Sequence, residues 1–254
     1  MTRFFPSLII GADGRESQLA TLLNFEREQD PPELFTGGFQ LQGDIAADRT
    51  LYFYQDGRTG RGAILVSNKP RNYRAYTFFH RDALSRRFSG ARDYAGAIAH
   101  FRDLGLPGDW QDALTPHGIH ATFDGAHRWI SDPVRGNCVL VGDAAAASDP
   151  VWGCGLSRTL RDVRLLRDRL LGDGGWLKAS RAYAADHCDF FNRLRHVEHL
   201  CAKLYFAMGD EAESRRQVAF DFLEHHPEQR PDTAGSGPES LRNAELERLL
   251  SPTR

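Results

Sequence analysis

Gly142-Asp-Ala-Ala-Ala-Ala-Ser-Asp-Pro-Val-Trp-Gly-Cys-Gly155 is the stretch on which the fold turns. It follows a short apolar run, Asn137-Cys-Val-Leu-Val141, and leads into Leu-Ser-Arg-Thr-Leu-Arg-Asp162. An apolar run of that length closed by Gly-Asp has the pattern of a buried strand ending in a tight turn. Beyond Gly155, Leu156, Leu160, Val163, Leu166 and Leu170 recur at helical spacing, which predicts a helix over 156–171 with that stripe buried. Between strand and helix lie a carboxylate, a run of small residues, a proline and two glycines. Small residues let a flat ligand come close to backbone. The first turn of a helix offers unpaired N–H groups and the positive end of its dipole, which favour an anion or an oxygen that becomes negative. Asp143, at the strand end, is placed to accept hydrogen bonds from hydroxyls of such a ligand.

Outward from there, residues 4–10 are apolar and stop at Gly11-Ala-Asp-Gly14, a second strand running into a turn. Residues 17–25 read as a short helix. From 37 to 79 the stretches GFQLQGDI, TLYFYQDG, GAILVSN and YRAYTFFH alternate in the manner of strands, with Asp56-Gly57 and Ser67-Asn68 as separators. They predict a mostly antiparallel sheet. A helix is expected over 92–104, ended by Pro107-Gly108, then a strand over 118–130. A longer helix is expected over 176–208. After Glu224 the composition turns to Pro, Gly, Ser and charge, which predicts a mostly disordered tail over 225–254, with a helical turn at Asn243-Ala-Glu-Leu-Glu-Arg-Leu-Leu250.

The chain has 254 residues, 41% hydrophobic and 26% charged, with a formal net charge of -2. Without a basic excess there is no footprint for nucleic acid. No apolar run approaches the roughly 20 residues of a membrane span. The cysteines at 138, 154, 188 and 201 are dispersed and form no CxxC pair, so a cytoplasmic, reducing location is the expectation.

The segment 142–162 closely resembles the second flavin motif of the class A FAD-dependent monooxygenases, the para-hydroxybenzoate hydroxylase family. That motif runs Gly-Asp-Ala-Ala-His, then Pro, then Gly-x-Gly and a helix bearing an Asp. The resemblance implies that Asp143 binds the flavin ribityl chain and that Gly142 belongs to the cofactor site. It implies that Pro150, Gly153, Gly155 and Leu156 line the isoalloxazine, and that Asp162 is the helix aspartate. Ala146 stands where the family has His. The segment 8–17 is similar to the family's middle motif, a strand followed by Gly-Ala-Asp-Gly and Ser. This implies roles for Asp13, Gly14, Arg15 and Ser17 near the FAD pyrophosphate. The sheet-rich stretch between the two motifs lies where the family has its substrate domain.

The resemblance covers about residues 5–208. It implies an α/β (α+β) fold, with 1–29 and 134–224 in the FAD-binding domain and 30–133 in an antiparallel-sheet substrate domain, followed by C-terminal helices. The implied activity is oxygen transfer to a small electron-rich organic substrate by FAD reduced with NADPH or NADH. No Trp-x-Trp-x-Ile-Pro segment of the halogenase type is present. The family also carries Gly-x-Gly-x-x-Gly in an opening βαβ unit. Here only Gly57-Arg-Thr-Gly-Arg-Gly62 offers glycines, and it reads as a hairpin turn. The expectation is therefore an incomplete doubly wound FAD-binding domain. Its front half would come from a separate chain, or the protein would be a truncated, non-catalytic remnant or partner module that does not bind FAD alone.

Several residues have blander readings. His187, Cys188, His196, His199 and Cys201 share one helix, but no second cluster makes them a metal site, so no metal is expected. The five arginines from Arg158 to Arg169 read as a solvated face. Trp152 reads equally as a flavin neighbour or a core aromatic, and Asp149 as a helix-start anion. Tyr73, Tyr76, Phe78 and Phe79 read as core, with only some able to face a cavity.

Overall fold

A computed structural model describes residues 3, 5–83, 88, 93–231 and 244–251. Its strands are β1 (Ile9–Gly11), β2 (Glu28–Gln29), β3 (Leu34–Gln42), β4 (Leu51–Asp56), β5 (Arg61–Lys69), β6 (Asn72–His80), β7 (Thr115–Asp124), β8 (Arg128–Trp129), β9 (Val134–Arg135), β10 (Cys138–Leu140) and β11 (Ala146–Ala147). The helices are α1 (Gln18–Leu22), α2 (Tyr94–Asp103), α3 (Gly108–Ala113), α4 (Gly155–Leu170), α5 (Gly175–Phe206), α6 (Asp210–His225) and α7 (Ala244–Leu250). The fold is mixed α/β. Among the described residues no helix is long and apolar enough to cross a membrane.

The chain divides into two units. The first comprises Met1–Pro31, Ala126–Glu198 and Asp232–Leu241. Here β10 pairs in parallel with β1, Ile9 opposite Cys138 and Gly11 opposite Leu140, and antiparallel with β9 through a turn at Gly136. Both faces of this small sheet are covered, which is why β10 is apolar throughout. On one face Ile9, Cys138 and Leu140 pack with Leu19 and Ala20 of α1, Phe25 and Ile130. On the other, Val139 and Val141 pack with Leu166 of α4 and Tyr183 of α5. A second small sheet has the order β11-β8-β2.

The second unit comprises Pro32–Gly125, His199–Pro231 and Arg242–Arg254. Its sheet has five antiparallel strands in the order β4-β5-β6-β3-β7. Phe39, Leu41, Leu65, Tyr73 and Ala75 meet Ala97 and Phe101 of α2 and Trp110 of α3. Ala219 and Leu223 of α6 pack with Leu246 and Leu250 of α7 and with Leu204 of α5.

Several expectations are corrected. Ser67-Asn68 does not separate strands: both lie within β5, and the turn falls at Pro70-Arg71, where Arg71 takes a φ of 62°. The expected strand over 118–130 is two strands, β7 and β8. α3 and α6 were not expected. The tail begins later than 225: a 3₁₀ turn covers Pro227–Gln229, and α7 is helical with Leu246 and Leu250 buried. Residues 232–243 and 252–254 of that tail lie outside the described residues. Residues 199–224, expected with the 134–224 block, group with the second unit because α5 runs from one unit into the other.

The largest correction concerns α4. Of its apolar stripe only Leu166 is fully buried, whereas Leu156, Leu160 and Val163 are 73%, 61% and 50% exposed. The buried face is Arg158, Asp162 and Leu166, at i, i+4 and i+8. Hydrophobic spacing identified the helix correctly and its inward face wrongly: the buried side carries the ion-paired Arg158 and Asp162 together with Leu166.

Candidate functional site

Because β1 and β10 run in parallel, the two Gly-Asp turns that follow them emerge side by side at the carboxyl ends of neighbouring strands. In open α/β sheets that is where ligands bind. The first turn is occupied with its own geometry. Asp13 accepts from the Ser17 hydroxyl at 2.6 Å and the Leu19 amide at 3.1 Å, and Ser17 caps α1 by accepting from Ala20 N–H at 3.0 Å. The Ser17 hydrogen bond holds the Asp13 carboxyl below its ordinary range. Gly14 turns the chain at a φ of 85°. Arg15 donates to the Ala126 carbonyl.

The second turn is anchored from beneath. Gly142 takes a φ of 60°, and its N–H donates to Asp162 Oδ2 at 3.0 Å. A Cβ at Gly142 would lie 2.8 Å from Thr159 Oγ1, so α4 packs directly on the turn. Asp162 Oδ1 lies 3.0 Å from His187 Nδ1, and the Tyr183 hydroxyl donates to the Leu140 carbonyl at 3.0 Å. Burial pushes the Tyr183 phenol well above its ordinary value, with Asp162 adding to the effect.

Asp143 points out of this turn, half-exposed, and accepts from Arg158 Nη2 at 2.5 Å. Arg158 is 2% exposed. Its second carboxylate, Asp162, is 3.9 Å away. The expectation of a solvated arginine face therefore fails at Arg158. Arg161 also departs from it, lying over the Phe190 ring at 3.9 Å.

A cleft of about 260 Å³ opens beside Asp143. Its walls include Arg15, Arg27, Arg128, Trp129, Ala144 and Ala145. Arg27 donates to the Ser17 carbonyl and to Thr21 Oγ1, and has no carboxylate within ion-pair distance among the described residues. Arg128 pairs with Glu16. Of the residues singled out in the sequence, Arg15 and Asp143 line this cleft; Asp13, Gly14, Gly142, Pro150, Gly153, Gly155 and Leu156 do not.

Of those last four, Pro150 and Gly153 lie in the loop that leads into α4, and Gly155 and Leu156 open the helix. Asp149 caps a 3₁₀ turn over Pro150–Trp152 by accepting from Val151 N–H at 2.9 Å. Gly153 follows at a φ of 70°, and nothing lies within 4 Å of where its Cβ would be. Cys154, at the helix cap, provides no side-chain hydrogen bond to the first amides. The Gly155 Cβ position is 4.0 Å from Asp143 Oδ1, so one carboxylate borders both the cleft and the helix start. Trp152 is half-buried. Open backbone at glycine, uncapped amides and an acceptor carboxylate suit a flat polar ligand with hydroxyl groups. The residues present thus fit a flavin cofactor.

Sequence reasoning missed Arg27, Arg128, Trp129 and Arg158, along with the buried His127 and Glu198. Arg158 carried a signal, since it shares a helical face with Asp162 at i, i+4. The arginines at 27 and 128 carried none, because only the folded chain brings them together. On the sheet of the second unit, Tyr73 and Phe79 face the α2 side, with the Phe79 ring centred 4.4 Å from that of His100. Tyr76 and Phe78 alternate to the opposite face.

No protein-family pattern and no curated protein matches the chain. Solved structures do. The chain superimposes on p-nitrophenol 4-monooxygenase of Pseudomonas putida with a TM-score of 0.68 at 19% identity, covering 97% of this chain and 60% of that one. For the anhydrotetracycline hydroxylase of Streptomyces rimosus the values are 0.66, 18%, 96% and 45%. For HpxO of Klebsiella pneumoniae, solved with FAD, they are 0.59, 20%, 75% and 49%. The chain thus spans about half to three-fifths of the length of these structures. At this identity the likeness establishes the fold, one shared with flavin-dependent monooxygenases.

Proposed function

We propose that this chain is the flavin-facing part of an FAD-dependent monooxygenase acting on a small electron-rich organic molecule. The observation that carries the reading is Asp143, which borders both the strand-end cleft and the uncapped start of α4. In this reading Asp143 accepts hydrogen bonds from the ribityl hydroxyls, and Gly142 keeps the turn tight enough to present it. Pro150, Gly153, Gly155 and Leu156 form the wall for the isoalloxazine, with the α4 amides facing its polar edge. Arg15 supplies positive charge towards the pyrophosphate, while Asp13, Gly14 and Ser17 hold the turn that carries it. When bound and reduced by NADPH or NADH, FAD supplies the activation of oxygen and its transfer to the substrate. The protein's part is to bind, orient and shield; no side chain is assigned a proton transfer with substrate.

A second reading is that the chain holds FAD only beside a further folded unit. It is favoured by the exposed apolar residues Leu156, Leu160 and Val163 and by half-exposed Ile10 on β1, an edge strand among those described.

Titration of the purified chain with FAD, followed by the visible spectrum, tests both. The first reading expects stoichiometric binding and a perturbed flavin band. Asp143→Ala should weaken binding at least tenfold, about 1.4 kcal/mol. Absence of binding overturns the first reading and leaves the second.

A further inference from the structure

Two residues on the buried face of α4, Arg158 and Asp162, grip the Gly142-Asp143 turn from beneath. They stand at i and i+4, so they lie on one side of the helix. Asp162 holds the backbone of the turn: its Oδ2 accepts from Gly142 N–H at 3.0 Å. Arg158 holds the side chain: its Nη2 donates to Asp143 Oδ1 at 2.5 Å. The second hold is one-sided. Asp143 Oδ2 has no hydrogen-bond partner among the described residues, and the side chain is 45% exposed where it lines the cleft. Arg158 is buried and does not line that cleft, so its guanidinium is out of a ligand's reach. The guanidinium is itself confined. Its Nη1 lies 3.9 Å from Asp162 Oδ2, and its Cζ lies 5.9 Å from the centre of the buried Phe191 ring.

A guanidinium is a planar, rigid donor fork, and a charge-assisted bond to it fixes direction as well as distance. A carboxylate without such a hold spreads over staggered rotamers, and ordering it then costs part of every ligand bond it makes. Held at Oδ1, Asp143 presents Oδ2 in one direction before a ligand arrives.

We propose that Arg158 is the positioning residue of Asp143: it fixes the carboxylate with one oxygen on α4 and the other facing the cleft, a preset acceptor for a ligand hydroxyl. Assigning that hydroxyl to a ribityl chain rests on the flavin reading; the fixing of Asp143 does not.

The first test needs no flavin. Three-bond couplings at residue 143 report its χ1 in the chain by itself. Wild type should show a single rotamer, and Arg158→Met should show averaging. The second test is a double-mutant cycle on FAD binding, followed by the visible spectrum. Arg158→Met should weaken binding roughly tenfold in the wild-type background and less than about twofold in Asp143→Ala, where nothing is left to position. An arginine that only stabilises the fold would weaken both backgrounds equally. Arg158→Lys keeps the charge without the fork and should fall between, with partial averaging and a loss of about threefold. It takes the place of the Met variant if that variant does not fold.

An averaged χ1 in wild type, a χ1 unchanged in the variants, or equal losses in both backgrounds overturns the proposal. A fixed χ1 that the variants release, with no FAD binding even in wild type, would sink the flavin reading and keep this one. Tight FAD binding with an averaged wild-type χ1 would do the reverse.

Discussion

Arg158 shows how a single residue's role is set by its neighbours. One arginine among five on a helix, it is buried between Asp143 and Asp162, at 2.5 and 3.9 Å. Removing the charge and removing its partner should differ. Arg158→Met leaves the fully buried Asp162 with Gly142 N–H and His187 but without its cation, and should cost about 3 kcal/mol, the low end for a broken buried pair. Asp143→Asn should cost only about 1 kcal/mol, because Asp143 is half-exposed, Asn still offers Arg158 an acceptor and Asp162 remains. Urea denaturation of both variants decides; equal losses would show that the pair does not act as drawn. Gly142 is legible at this scale from the sequence, because Gly-Asp after an apolar run signals a turn. The buried guanidinium is not, because arginine reads as solvent-facing unless its partners are known.

At the scale of the element, α4 is recognisable by its apolar spacing yet turns that stripe outward. Leu160→Lys should therefore change the stability of this chain by less than about 0.5 kcal/mol, as expected of an exposed position. Leu166→Ala, in the core against Val139 and Tyr183, should cost about 2–5 kcal/mol. Thermal or chemical unfolding of the two variants checks the contrast, and a large loss at Leu160 would restore the buried stripe. The sheet of the second unit was easier to read. Strands β4, β5 and β6 are long and joined by short turns, so local pattern suffices there. The three-residue β1 and β10 depend on each other across the sequence, and neither shows its partner.

In the whole molecule, two buried groups give the units opposite pH preferences. His100 in the second unit bonds to the Gly62 carbonyl at 2.8 Å, and burial lowers it to about 4. The folded state then binds fewer protons than the unfolded one below pH 6.5. Its contribution is full above 6.5 and is lost as pH falls through about 4, a loss of about 3 kcal/mol. Glu198 in the first unit, raised to about 8, has the reverse sign: its contribution is full below its ordinary value and is lost as pH rises through 8. Urea denaturation from pH 4 to 7 should show a fall on the acid side that flattens in His100→Gln. An unaltered slope in that variant would assign the acid sensitivity elsewhere.

By itself the sequence determined the local pieces: the strand-end turns at Gly11-Ala-Asp-Gly14 and Gly142-Asp143, a helix expected from about Leu156, and an antiparallel run of strands between them. These follow from periodicity, from the backbone freedom of glycine and from small residues where a ligand would need room, all of which act within a few neighbours. Only the tertiary structure decided which turn points where. It set β1 beside β10, brought Arg27 and Arg128 to the Asp143 cleft, turned the leucines of α4 outward, and enclosed Glu198 with His127. The reason is physical: charge pairing and burial depend on contacts between residues distant in the chain, and no local pattern encodes a partner more than a hundred positions away.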